Sequence, residues 1–336
     1  MISIVIPLYN KAQSITHTLD SVLAQTYTDY EVVVVDDGST DGSGQVVEGY
    51  QSQIALVTNH QSQIRLIQKP NGGVSSARNA GILAAKGEYV AFLDGDDLWD
   101  STYLEELAKM IADYPDAGIY GIGCVHTNGN QLPKEDAAKS YFRGVLTDWF
   151  ARGGAFTGSS TTIRRDIFDE VGEFDTRMTH GEDMDMWWRV LFKYPGAYYA
   201  KPLAFYLQDA ENRAMNRLMP LEKHIPYYLD KYADERAKDA AFRKFCDTQM
   251  VYRLYPYMFD KRYRKQAKAL SKKIDYSQLK FTMWLRMVWP EIYRIYERVK
   301  GNKKQETRNK KRETRNEKQE TTPKGLNKKQ VREISV

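Results

Sequence analysis

A mostly parallel α/β sheet flanked by helices, followed by a helical extension and a polar tail, is the architecture this sequence predicts, on three observations. Through residue 126, short β-rich runs alternate with helical patterns, the signature of strands joined by crossover helices. From about Pro220 the composition shifts to Tyr, Lys, Arg and Met in helix-like blocks. Beyond Lys300 a seven-residue repeat begins, Gln305 to Lys311 and then Arg312 to Lys318, with no apolar position. Such a heptad cannot build a coiled-coil seam and reads as disorder. The chain therefore divides into an α/β unit over 1–215, with halves 1–100 and 118–215, a helical extension over 220–300 and a disordered basic tail over 301–336.

The strands follow from runs of β-branched and aromatic residues bounded by turn residues: Ile2–Pro7, Glu31–Val35, Ile64–Gln68, Tyr89–Leu93 and Gly118–Gly123. Between the first two, Ile15, Leu19, Val22 and Leu23 recur at helical spacing. Further helices are expected to start near Asp41, near Ser75–Ser76 and near Ser101, each with a capping residue at its start. Helical periodicity returns at Asp183–Lys193. In the extension, Phe281, Trp284, Leu285, Val288, Ile292, Ile295, Tyr296 and Val299 form one apolar face, and Pro290 should break or restart the helix that carries it.

Composition excludes several classes. With 336 residues, 42% hydrophobic and 28% charged, the chain has enough apolar side chains for a sizeable core. Two cysteines, Cys124 and Cys246, make no disulfide framework, so a reducing compartment is expected. The run Met1 to Pro7 enters a strand directly, so no signal peptide is expected. No apolar stretch approaches the ~18 residues of a spanning helix. The net charge of +5 is unevenly placed: residues 300–336 hold 13 Lys and Arg against 5 Asp and Glu, leaving 36 against 39 elsewhere.

In an open α/β sheet ligands bind beyond the carboxyl ends of the strands, and here four such ends carry polar clusters. They are Pro7-Leu8-Tyr9-Asn10, Asp36-Asp37-Gly38-Ser39-Thr40-Asp41, Asn71-Gly72-Gly73-Val74-Ser75-Ser76-Ala77-Arg78-Asn79 and Asp94-Gly95-Asp96-Asp97. Asp94 and Asp96 share one side of a strand end, because the side-chain period is two. Two carboxylates suit a hard divalent cation that fills its shell with phosphate and water. A lone Asp-x-Asp is ordinary turn chemistry; the convergence of four clusters gives it weight. Asp37 can accept from the N–H of a base or make an Asx turn with Gly38. Arg78 has the planar fork that matches diphosphate oxygens.

These blocks, together with Gly181-Glu182-Asp183 and in this order, resemble the family 2 glycosyltransferases of GT-A fold, a Rossmann-like sheet, over roughly residues 1–210. The resemblance implies a nucleotide-diphospho-sugar donor, often a UDP-sugar, Mn2+ or Mg2+ at the Asp-x-Asp, and inversion at the anomeric carbon. It assigns Pro7, Tyr9, Asn10, Asp37, Ser39, Arg78, Asn79, Asp94 and Gly95 to the donor, Asp96 with Asp94 to the metal, and Asp183 to the base, with Glu182 in support. The catalytic domain would be 1–215, its nucleotide-sugar half 1–100 and its acceptor half 118–215. Where many relatives carry a histidine after the late strand, this chain has Tyr206-Leu207-Gln208-Asp209, so Asp209 or His180 would have to supply a third ligand. The Gln-x-x-Arg-Trp motif of processive synthases is absent, which favours transfer of one sugar per encounter.

Other classes fit less well. A dinucleotide oxidoreductase lacks its Gly-x-Gly-x-x-Gly after the first strand, and a P-loop enzyme lacks its Gly-Lys-Ser/Thr. A non-catalytic nucleotide-sugar or glycan-binding module is the alternative. Expected partners are the nucleotide-sugar donor and a glycan or lipid-linked acceptor in surface polysaccharide synthesis, with no specific nucleic acid. The aromatic and basic residues of 281–312 fit either peripheral contact with the inner face of the cell membrane or packing on the catalytic domain or a second subunit. The expected location is cytoplasmic.

Overall fold

Val32, Val33, Val34 and Val35 run without a polar interruption because both faces of the strand they form are covered. Val32 and Val34 enter one buried cluster with Ile4 and Ile6, and Val33 and Val35 enter another with Val5. That two-sided burial is what a parallel sheet between helix layers demands. The computed structural model of the chain describes residues 1–57, 64–127, 140–146, 155–208 and 218–300. The 301–336 tail, the 301–312 part of the candidate membrane segment and Asp209 lie outside the described residues.

The strands are β1 (Ile2–Leu8), β2 (Tyr30–Asp36), β3 (Ile64–Gln68), β4 (Tyr89–Phe92), β5 (Leu98–Trp99), β6 (Ile119–Thr127), β7 (Arg143–Val145), β8 (Thr161–Arg164) and β9 (Gly196–Leu207). They form one sheet in the order β3-β2-β1-β4-β8-β6-β9-β5, with β7 paired to β9. The pairs β1–β2, β1–β4, β2–β3 and β6–β9 are parallel, and β8 is antiparallel to both β4 and β6. The sheet is therefore mostly parallel, as expected, with β8, β5 and β7 reversed.

The helices are α1 (Ile15–Leu23), α2 (Ser43–Val57), α3 (Val74–Ala84), α4 (Tyr103–Asp113), α5 (Ile167–Val171), α6 (Glu182–Leu191), α7 (Ala233–Lys238), α8 (Ala240–Leu254), α9 (Arg264–Ser271) and α10 (Phe281–Val288). The expected caps need correction at two of them. Ser75 and Ser76 lie inside α3, whose N-cap is Gly73, and Ser101 gives way to Thr102 at the N-cap of α4, in a turn where Asp100 accepts the Thr102 N–H at 2.9 Å. Asp41 does accept the Ser43 N–H, at 3.0 Å.

The extension has its own core of Leu229, Tyr232, Phe242, Met250, Leu254 and Met258, into which Met178 and Trp188 of the α/β unit insert. A buried carboxylate fastens the joint: Asp185 on α6 accepts from Lys231 at 2.5 Å, from the Tyr232 hydroxyl and from Arg189 at 2.9 Å. A strap before α7 adds backbone pairing, with Thr179 N–H to Lys223 O at 2.9 Å and Ile225 N–H to His180 O at 3.0 Å. The α10 helix stops at Val288, and a second helix starts at Pro290 and covers 290–300, because proline cannot continue the ladder but suits a first turn.

Candidate active site

Because β1, β2, β3 and β4 run in parallel, their carboxyl ends emerge along one edge, where the loops are stitched together by polar side chains. The Asn10 N–H donates to Ser39 Oγ at 3.0 Å, and Asn10 Oδ1 accepts the Thr40 N–H at 2.8 Å. Asn10 sits at φ 53°, a left-handed backbone that asparagine tolerates. The Asp37 carboxylate, 2% exposed, accepts the N–H groups of Gly72 at 3.0 Å and Gly73 at 2.7 Å and the Lys69 ammonium at 2.5 Å. It thus pins the turn that leads into α3 from 36 residues away, while Gly73 turns the chain at φ 86°, which favours glycine.

Arg78 is the hinge of the site. It projects from α3 and is only 2% exposed; its Nη1 donates to Glu182 at 3.0 Å and its Nη2 to Asp94 at 2.9 Å. The guanidinium also lies 5.4 Å from the Phe174 ring centroid. Burial opposes its charge, but Asp94, Glu182 and Asp183 more than offset that and hold it protonated. Burial pushes the Glu182 carboxyl up to about 7, Asp183 adds to the rise and Arg78 works against it. Gly158 leaves room for this bridge: a Cβ there would stand 2.8 Å from Arg78 Nη2 and 3.1 Å from Asp94 Oδ2.

The acidic run after β4 has three distinct environments. Asp94 pairs with Arg78, and Asp96 receives the Lys11 ammonium at 2.5 Å. Asp97 is fully buried, bonded to Ser159 Oγ and accepting the Leu207 N–H at 3.2 Å, so it ties this loop to the end of β9. Burial, then Asp96 and Asp94, raise its carboxyl well above the usual range.

A cavity of about 640 Å3 opens over these ends. Of the expected residues, Pro7, Tyr9, Asp37, Arg78, Asp94, Gly95, Asp96 and Glu182 line it. Asn10 and Ser39 brace its rim through the bond just described. Asn79 is turned away, exchanging hydrogen bonds of 2.9 Å with the backbone of Phe174. Asp183 follows Glu182 in the first turn of α6 and accepts the Met184 N–H at 2.7 Å; it is not part of the wall. His180 does line the cavity, with its ring 5.5 Å from that of His224.

The fit of a metal rests on the donor set. Among the described residues no group of three or more His, Cys, Asp or Glu gathers as ligands. Asp94 and Asp96 share the wall, and an ammonium already stands at Asp96. Two carboxylates plus donor phosphate and water are what Mg2+ commonly takes, so the residues fit. Sequence reading missed Lys11, although it adjoins Asn10. It also missed Met219 and Lys223 of the extension, which complete the wall and carry no local signal.

A family model described as glycosyl transferase family 2 matches residues 3–172. EpsJ of Bacillus subtilis, an uncharacterized glycosyltransferase, is 41% identical over 123 residues, 37% of this chain and 33% of EpsJ. The glycosyltransferase GlyG of Streptococcus pneumoniae is 34% identical over 184 residues, 51% of this chain and 59% of GlyG. The chain thus matches about a third of the length of EpsJ and of similar Rickettsia proteins. The crystal structure of S. aureus TarS 1–349 in complex with UDP-GlcNAc superposes with a TM-score of 0.56 at 18% identity, covering 85% of this chain and 78% of that one. That likeness is one of fold.

Proposed function

The chain belongs to glycosyl transferase family 2, and on that premise we propose that it moves one sugar from a UDP-sugar to a hydroxyl of a glycan or lipid-linked acceptor, with inversion. The observation that carries this reading is the Arg78 bridge, which joins the Asp94 side of the cavity to Glu182 at the start of α6. Inverting transfer needs in-line attack, so the leaving diphosphate and the base must face a common space from opposite sides. The UDP-GlcNAc of the TarS complex supports a uridine donor.

In this reading Pro7, Tyr9 and Asp37 border the nucleotide, and Asp94 and Asp96 would hold Mg2+ or Mn2+, which would supply positive charge where the diphosphate leaves. Lys11 shifts from Asp96 toward the phosphates. Arg78 keeps Asp94 and Glu182 in register rather than meeting the diphosphate itself, since both of its terminal nitrogens already have carboxylate partners. Asp183 stands just off the cavity wall, so it must turn from the Met184 N–H into that common space to remove the acceptor's proton, and Glu182, which lines the cavity and is engaged by Arg78, orients the turn that carries it. Peripheral attachment at the inner face of the membrane, in surface polysaccharide synthesis, suits a lipid-linked acceptor.

Incubating the full chain with a panel of UDP-sugars and acceptors, with and without Mn2+, and measuring UDP release and product anomeric configuration tests the reading. Asp96→Asn and Asp183→Asn should each cost at least about 100-fold in turnover. Donor binding without turnover across the panel would point instead to a binding module.

A further inference from the structure

The two helices at the end of the described chain leave a row of large apolar side chains uncovered. Met283, Met287 and Tyr293 face inward, as a helix packed on a core requires, and the Arg286 side chain, 13% exposed, is tucked in beside them. The Arg286 guanidinium lies 4.5 Å from the Tyr252 ring centroid and 4.6 Å from that of Tyr293, and it donates to Glu297 at 2.8 Å. Arg294, half exposed, pairs with Glu291 at 3.0 Å and has its guanidinium 5.0 Å from the Phe259 ring centroid. Large apolar side chains face outward among the charged ones: Phe281 at 68% exposure, Ile295 at 61%, and Trp289, Ile292 and Val299 at 52–53%. Single exposed hydrophobic residues are ordinary, whereas a continuous stripe rimmed by polar groups marks an interaction surface.

We propose that this outward face lies in the headgroup region of an anionic phospholipid membrane. Three features favour lipid over protein. The stripe includes Trp289, a type that settles at the membrane–water boundary, and Phe281, common on the apolar face of interfacial helices. It leads into residues 300–336, with 13 basic residues against 5 acidic ones, which anionic lipid attracts. A second copy on the same face would bring two such basic segments together, at an electrostatic cost. Among the described residues no helix is long and apolar enough to cross a membrane, so the segment lies along the surface. None of the five outward residues lines the cavity, so this inference stands or falls separately from the donor reading.

Flotation of the full chain with vesicles of phosphatidylcholine alone, and of phosphatidylcholine with phosphatidylglycerol, tests it. The Ile292→Glu/Ile295→Glu variant serves as the comparison, with thermal unfolding and lipid-free mass measured for both proteins. The unsubstituted chain should float with the anionic vesicles and lose binding at high salt. The variant should bind at least about tenfold less while unfolding at the same temperature and releasing UDP from soluble donor at the same rate. No flotation, flotation indifferent to the substitutions, or a lipid-free dimer that the substitutions dissolve would each overturn it.

Discussion

Lys11 donates to Asp96 across 2.5 Å, so the second carboxylate of the Asp94-x-Asp96 pair is already neutralised by a cation from the loop after β1. A divalent ion must displace that ammonium. Lys11→Met should therefore tighten Mn2+ binding in the absence of donor, by about tenfold if the pair is worth about 1.4 kcal/mol. Calorimetric titration with Mn2+ alone measures this, and unchanged affinity would show that the ion pair does not compete.

Arg78→Gln removes a buried cation from between Asp94 and Glu182. Breaking such a pair from one side commonly costs about 3–5 kcal/mol, because the carboxylates left behind stay desolvated. The denaturant midpoint should fall accordingly, and adding Glu182→Gln should restore part of the loss. Additive destabilisation in the double variant would argue against direct coupling.

Gly158→Ala places a methyl group where Arg78 Nη2 and Asp94 Oδ2 leave no space. The shift it forces should lower turnover by about tenfold while costing about 1–3 kcal/mol of stability. Wild-type kcat/KM in this variant would mean that the bridge can relax without consequence.

His224, in the strap that joins the extension to the α/β unit, is 6% exposed, and burial, then Arg253 and His180, push its pKa down from 6.5 to about 2. The unfolded chain therefore binds the proton first as pH falls. Its contribution to stability is full above about pH 6.5 and is lost progressively below, about 2 kcal/mol by pH 5. Chemical denaturation across that range should show the slope, and His224→Phe should flatten it.

What the sequence disclosed and what it hid divide along physical lines. The Val32–Val35 run and the polar clusters after β1, β2 and β4 are local patterns, so those strands and most of the cavity wall could be read directly. Strand β8, Thr161–Arg164, is β-branched at three of its four positions but has one aliphatic residue, too short a run to stand out from a loop, and its pairing with β4 and β6 fixes it as a strand. Strand β9 carries Lys201-Pro202 opposite a register shift at Gly123, which breaks its alternation. The partners of Arg78 lie 16 and 104 residues away, and the turn into α3 is held by Asp37, so neither is written in its neighbourhood.

The cavity has two builders. One wall comes from the loops after β1 to β4, and a corner comes from the strap bearing Met219 and Lys223, held to His180 by backbone pairing. A lineage could remodel that strap, changing which molecules are admitted, while the machinery beneath it stays as it was. Grafting the helical region of one relative onto the sheet of another is thus a route to new acceptor choice.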